Sequence, residues 1–307
     1  MNKKIIFYGI IGFILTTLII SPFVFAQVLP GIATEASLIV SGKETAPVAI
    51  QPAIESMPYD WVNQEPLISH ALGGIGGYSG TNSIEGLKRA YNSGLRVFET
   101  DITATSDGHL VLRHDWEAGT YMVLGQAIPD ARPLEPMTLA RFKSTKIQQQ
   151  YTPMTFKELC VFMSEHPDML LVTDTKEADS TKATQLFKQI VSEANGVDAQ
   201  VLRQFIPQLY KQDNYDAVNR VYPFRQYIYT LYMNGDSMKD VVNFASGKGI
   251  GVVVMDENRY TPEFVQALLQ KGIYTYINTI NDVGRIHTLF STGVKGVMTD
   301  FAVPGDL

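Results

Sequence analysis

From Leu67 onward, apolar and polar positions follow two alternating rhythms. Short β-rich runs at 67–72, 97–103, 170–176, 202–208, 226–232, 250–255, 273–279 and 295–299 carry the strand pattern. Between most of them the apolar residues recur with helical spacing, at 83–93, 155–166, 180–194, 212–220, 237–247, 261–271 and 282–291. Eight strand runs separated by helices predict an α/β chain, a closed (β/α)8 TIM barrel. A ninth run, 109–114, follows its predecessor after only a few residues. A parallel crossover needs about a dozen, so this run is a hairpin return above the barrel. Residues 116–150 have no sustained period and contain Pro129, Pro133 and Pro136, which predicts a segment inserted near the mouth.

The chemistry-bearing residues cluster at the ends of these runs: Ser69-His70, Glu99-Thr100-Asp101, Arg113-His114-Asp115 and Asp174-Thr175-Lys176. Strand period places Glu99 and Asp101 on one face, and Asp174 and Lys176 on another shared face. Asp107-Gly108 is a strong two-residue hairpin signal. With those two residues as the turn, 106 faces 109 and Asp101 faces His114, their Cβ atoms about 5 Å apart. In a barrel, side chains at the C-terminal ends of strands converge on the active face. A solvated hairpin with an incidental ion pair, or Lys176 serving only as a partner for Asp174, accounts for fewer of these residues.

The N-terminus has a different character. Lys3 and Lys4 precede the uncharged run Ile5–Ile20, and Ser21-Pro22 interrupts it before Val24-Phe25-Ala26. Residues 1–26 therefore read as a signal peptide with a cleavage site after Ala26, or as a transmembrane anchor through residues 5–26. Both place the following chain outside the cytoplasm. Residues 27–60 read as a spacer and 61–307 as the folded barrel. The net charge is -6, which excludes an electrostatic nucleic-acid binder. The single cysteine, Cys160, excludes a disulfide framework and a thiolate zinc site. The glycines from Gly73 to Gly80 lack a following Gly-Lys-Ser/Thr, so they form no nucleotide P-loop.

Taken as a set, the motifs resemble those of the glycerophosphodiester phosphodiesterase family, within the phosphatidylinositol-phospholipase-C-like superfamily. The stretches that carry the resemblance are His70-Ala71-Leu72, Thr81-Asn82-Ser83, Glu99-Thr100-Asp101, His114-Asp115, Pro153-Met154-Thr155, Asp174-Thr175-Lys176 and Gly296-Val297-Met298-Thr299-Asp300. They run in the family's order from Leu67 to Asp300. Three departures stand out. Ala71 occupies the place of a phosphate-contacting arginine, Asp174 replaces a glutamate as in the related spider-venom sphingomyelinase D, and Tyr276-Ile277-Asn278-Thr279 lacks an aromatic before Thr279.

The resemblance implies metal-assisted phosphodiester cleavage. Glu99, Asp101 and Asp174 would hold Ca2+ or Mg2+, both hard cations that prefer oxygen ligands. His70 and His114 would serve as acid and base. Lys176, with Arg113 as a substitute for the missing arginine, would hold the phosphate. The substrates implied are glycerophosphodiesters, lysophospholipids or a glycerol-phosphate polymer. A phospholipase of the phosphatidylinositol-specific or sphingomyelinase-D-like kind and a non-catalytic lipid- or polymer-binding barrel stand as alternatives.

Overall fold

The computed structural model describes residues 58–130 and 133–307. The expected signal or anchor over 1–26 and most of the 27–60 spacer lie outside them. Among the described residues, no helix is long and apolar enough to cross a membrane.

The strands are β1 Leu67–Ser69, β2 Val97–Ala104, β3 Leu110–Leu112, β4 Leu170–Asp174, β5 Phe205–Leu209, β6 Ile228–Thr230, β7 Val252–Asp256, β8 Tyr274–Asn278 and β9 Gly296–Thr299. All but β3 pair in parallel around a closed ring, in which β1 bonds to both β2 and β9. The helices are α1 Ile84–Asn92, α2 Ala118–Val123, α3 Leu139–Ser144, α4 Phe156–Ser164, α5 Ser180–Asn195, α6 Gln212–Val221, α7 Met238–Lys248, α8 Pro262–Leu269 and α9 Val283–Ser291. Side-chain caps start several of them: Ser83 accepts from Gly86 N, and Thr155 forms a capping box with Glu158. Cys160 lies buried in α4, where burial pushes its thiol up to about 12.

Strand alternation sorts the barrel interior into levels. Near the N-terminal ends, Ile68, Val97, Val172, Ile206, Ile228, Val252, Val254, Tyr276 and Met298 form an apolar inner core, with Val62 packed against it. Each aliphatic side chain taken from water there contributes about 1.5–3 kcal/mol. Two residues further along each strand, the same inward face becomes polar: His70, Glu99, Asp174, Gln208, Thr230, Asp256, Asn278 and Asp300. A dry lower plug thus supports a charged upper layer. The larger core between strands and helices, including Phe98, Leu171, Phe187 and Phe205, uses the opposite strand face.

The first strand is shorter than expected. It stops at Ser69, and His70–Leu72 form a tight turn in which Ala71 and Leu72 have φ of 46° and 61°. Such left-handed backbone is costly for residues with a Cβ. Here it aims the Ala71 amide at Glu99 Oε2, 2.8 Å away.

The hairpin register also differs from expectation. Pairing runs Ile102↔Leu112, Thr103↔Val111 and Ala104↔Leu110. The amide of Arg113 donates to Asp101 O at 3.1 Å, and that of Thr105 to His109 O at 2.9 Å. The loop therefore has three residues, Ser106-Asp107-Gly108, with Gly108 at φ 82°. A two-residue type I′ turn needs positive φ at both positions, whereas the three-residue form needs it only at the glycine. Asp101 consequently faces Arg113, and the expected Asp101–His114 cross-strand pair is not formed. A one-residue slip exchanges every side chain between faces.

The inserted segment contains two short helices, α2 and α3, that the sequence pattern does not reveal. They close over a small separate core of Val111, Trp116, Tyr121, Met137 and Phe142.

Candidate active site

Four elements bring one cluster together at the C-terminal face of the barrel. Oxygens of Glu99, Asp101 and Asp174 lie within 4.8 Å of one another, all three residues buried. Asp101 and Asp174 are register partners on adjacent strands, and Glu99 is one inward step below Asp101.

Their surroundings separate their roles. Asp101 is held by Asn82, whose Nδ2 donates to Oδ2 at 2.8 Å while its Oδ1 accepts from Thr100 Oγ1 at 2.7 Å. Lys176 Nζ lies 2.6 Å from Asp101 Oδ1 and 2.9 Å from Asp174 Oδ2. Asp174 also accepts from the Tyr210 hydroxyl and from the amide of Lys176. Glu99 is the exception. Its Oε2 takes the Ala71 amide, but Oε1 is buried without a hydrogen-bond partner among the described residues.

The electrostatics follow from this arrangement. Burial, reinforced by the charge of Asp101, pushes the Glu99 carboxyl up to about 8. Burial also acts to raise Asp101, but the charges of Lys176 and His70 outweigh it and hold that carboxyl below its usual range. Burial acts against the Lys176 ammonium, and the charges of Asp101 and Asp174 prevail and raise it well above the usual lysine value. Burial and the neighbouring carboxylates disfavour the charge on Glu99, and its one orphaned buried oxygen points to a further cation. The all-oxygen donor set fits a hard divalent ion.

His70 stands beside the cluster, its Nε2 3.9 Å from Glu99 Oε2. Its Nδ1 is 2.9 Å from Asp300 Oδ1. Asn281 Nδ2 in turn donates to Asp300 Oδ2 at 2.8 Å, and Asn281 Oδ1 accepts the Asp300 amide at 2.8 Å. Burial pushes the imidazole down, but the Asp300 hydrogen bond and the charges of Glu99, Asp300 and Asp101 lift it to about 9. Asp300 and Asn281 are site residues that strand-end inspection alone misses. The first belongs to the closing Gly296–Asp300 motif, and the second carries no signal of its own.

His114 reaches the cluster from the hairpin. Its Nδ1 lies 2.5 Å from Asp115 Oδ2, and Asp115 Oδ1 accepts from Glu117 N and Thr120 Oγ1 at 2.7 and 2.6 Å. Burial acts to raise Asp115, yet these hydrogen bonds outweigh it and hold its carboxyl below the usual range. One carboxylate thus orients a histidine and ties down the first turn of α2 through Thr120. Despite the altered register, His114, His70 and Asp101 line one groove of about 300 Å³, together with Gly80, Asp115, Gly119, Thr120 and Val123.

Arg113 does not join them. It is buried, its Nε donates to Asp115 O at 2.6 Å and its Nη1 to Gln126 Oε1 at 2.8 Å. Its guanidinium stacks 4.7 Å from the Trp116 ring centroid and 4.5 Å from that of Tyr121. The expectation that Arg113 replaces a phosphate-binding arginine is corrected accordingly: this charge holds the inserted segment onto the hairpin. Trp116 likewise packs, donating to Ala104 O at 3.0 Å. Of the two expected phosphate-binding cations, Lys176 alone is in the cluster.

A barrel face with an acidic triad, a lysine and two carboxylate-oriented histidines can bind a dication and move two protons. Solved structures share this architecture. A glycerophosphodiester phosphodiesterase from Parabacteroides distasonis superposes with a TM-score of 0.60 at 16% identity, covering 77% of this chain and 92% of that one. One from Thermotoga maritima gives 0.57 at 18%, covering 77% and 94%. An Oleispira antarctica phosphodiesterase in complex with the product sn-glycerol-3-phosphate gives 0.61 at 18%, covering 76% and 92%. No curated protein sequence matches significantly. The model of the glycerophosphoryl diester phosphodiesterase family matches residues 73–303, well over half of the 307-residue chain. The chain belongs to that family of phosphoric diester hydrolases.

Proposed function

We propose that this protein hydrolyses glycerophosphodiesters and related lipid-derived phosphodiesters outside the cytoplasm, with His70 and His114 as the acid–base pair and Lys176 on the phosphate. The observation that carries the reading is that both histidines line one groove together with Asp101, a member of the acidic triad. One histidine accepts the proton of an attacking hydroxyl, on the substrate's own glycerol, as that oxygen bonds to phosphorus. The other donates a proton to the leaving oxygen as its bond to phosphorus breaks. Water then opens the cyclic phosphate with the two roles exchanged, so that diester and water become a phosphate monoester and an alcohol. Asp300 and Asp115 fix the two imidazole orientations.

Glu99, Asp101 and Asp174 would hold the divalent ion, Ca2+ or Mg2+, which when bound offsets negative charge on the phosphoryl oxygens. Lys176 adds a fixed positive charge beside it. The complex of the Oleispira relative with sn-glycerol-3-phosphate supports a small phosphodiester substrate. Lys3 and Lys4 followed by the uncharged run from Ile5 support export or membrane attachment through residues 5–26.

The test is to incubate the full chain with glycerophosphocholine and follow phosphorus by NMR. A phosphate monoester, with a transient cyclic phosphate before it, is the expected result. A folded protein that turns over neither this nor other glycerophosphodiesters would sink the reading and favour a non-catalytic barrel.

A further inference from the structure

The acidic cluster borders a second cavity besides the groove that His114 lines. It has a volume of about 30 Å³ and lies among His70, Glu99, Asp174, Gln208, Tyr232 and Asn278. That is room for about two water molecules. Three of these residues carry a buried oxygen without a hydrogen-bond partner among the described residues: Glu99 Oε1, Gln208 Oε1 and Asn278 Oδ1. The Asn278 amide is oriented by its Nδ2, which donates to Asp256 Oδ1 at 3.1 Å, so the oxygen is the atom left over. Unpartnered acceptors suit a cation or a proton donor and oppose an anion. The negatively charged oxygens of a phosphodiester therefore stay out of this cavity and need donors at its rim.

Most side-chain donors beside the cluster are committed. Asn82 donates to Asp101 and Asn278 to Asp256. Tyr210 is fully buried; its hydroxyl donates to Asp174 Oδ1 and accepts the amide of Lys176, which makes it a brace. Tyr232 differs. It follows β6, lines the cavity and is 36% exposed. Its hydroxyl lies 3.5 Å from Asp174 Oδ2, an oxygen that already takes Lys176 Nζ at 2.9 Å. An ordinary O–H···O bond spans about 2.7–2.8 Å. The Tyr232 ring stands edge-on to that of Tyr210, centroids 5.7 Å apart, with Lys176 Nζ 6.0 Å from its centroid. Packing thus holds the ring beside the lysine and leaves the hydroxyl underused. A phenol keeps its proton at neutral pH, so this one has a hydrogen bond to give.

We propose that Tyr232 is a further catalytic residue, whose hydroxyl exchanges its long contact to Asp174 for a non-bridging oxygen of the substrate phosphate, beside Lys176. This rests on the phosphodiesterase reading above and adds a residue that none of the sequence motifs contains. No proton leaves the phenol, and the acid–base work stays with the two histidines.

The experiment titrates the full chain with Ca2+ or Mg2+, whichever binds more tightly, and then the loaded protein with sn-glycerol-3-phosphate, both by calorimetry. Wild type, Tyr232→Phe and Tyr210→Phe are compared. Tyr232→Phe is expected to weaken the phosphate monoester about 10–100-fold, the loss of one hydrogen bond to a charged acceptor, while cation affinity holds. Tyr210→Phe is expected to weaken the cation itself about 10–100-fold, since it removes the brace on Asp174. With glycerophosphocholine, kcat/KM of Tyr232→Phe should fall by the factor seen in binding, and a melting midpoint near wild type checks the fold.

Phosphate binding unchanged in Tyr232→Phe overturns the proposal. Cation affinity that falls as far as phosphate affinity overturns it too, and makes Tyr232 a second brace on Asp174. Neither result touches the phosphodiesterase reading. A wild type that binds no phosphate monoester and turns over no diester overturns both.

Discussion

The two histidines sit in regions built on different principles. His70 directly follows a barrel strand, and its partner Asp300 directly follows the neighbouring one, braced by Asn281. Its side chain is 30% exposed, against 52% for His114. His114 stands on the hairpin, and its partner Asp115 also anchors α2, the wall of the adjoining groove. The barrel half of the site is therefore fixed by strands that the whole apolar plug supports. In the hairpin half, the orientation of His114 and the placing of α2 both depend on one carboxylate, Asp115. The inserted segment, with its own small core, can therefore vary without moving the strands that carry the acidic triad.

Removing either imidazole should have the largest effect. His70→Ala and His114→Ala are each expected to lower kcat/KM by about 10²–10⁴-fold, with melting midpoints near wild type for His114→Ala. A wild-type rate in either variant would remove that histidine from the chemistry.

Asp300→Asn sharpens the comparison, because it should affect the barrel half alone. Turnover should fall by about 10–100-fold, as when the residue orienting a functional side chain is lost. In metal-free protein the His70 imidazole should titrate near 9, since its hydrogen bond to Asp300 and the surrounding charges outweigh burial. This pKa lies above the ordinary histidine value, about 6.5. The associated stability is therefore fully present below that value and lost as pH rises through 9. Imidazole proton NMR checks it: the titration should drop markedly in Asp300→Asn and stay put in Asp115→Asn.

The smallest effect concerns the hairpin. Gly108 has φ 82°, so Gly108→Ala should cost about 1–2 kcal/mol, read by chemical denaturation. No loss would mean that the loop does not hold the glycine in the left-handed region.

Much of the barrel half is legible in sequence because it rests on strand period and burial. Alternation through 97–103 turns Glu99 and Asp101 inward once Val97 is in the core, and the same argument covers Asp174 below a helix-joined strand. The hairpin half resists that logic. Whether Asp107-Gly108 makes a two- or three-residue loop depends on whether Asp107 adopts positive φ, and its side chain instead accepts from Thr105 Oγ1 and Leu139 N. The second partner is 32 residues away and invisible to a local pattern. Arg113 looks like a phosphate ligand beside His114, but it lies just past the end of β3, and Gln126 and the rings of Trp116 and Tyr121 give it a structural post. Helices α2 and α3 span six residues each, too short for a helical period to emerge. Asp300 and His70 meet across 230 residues, so only closure of the barrel reveals the dyad.

We infer that the buried acidic triad holds a hard divalent cation that the chemistry needs, with Glu99 offering the free oxygen. Calorimetric titration of chelator-treated full-length protein with Ca2+ and with Mg2+, beside Glu99→Gln and with turnover followed in parallel, tests it most directly. Saturable binding and recovered turnover are expected in the wild type, with both lost in Glu99→Gln despite an intact fold. Full turnover in the presence of chelator, or unchanged cation binding in Glu99→Gln, would contradict it.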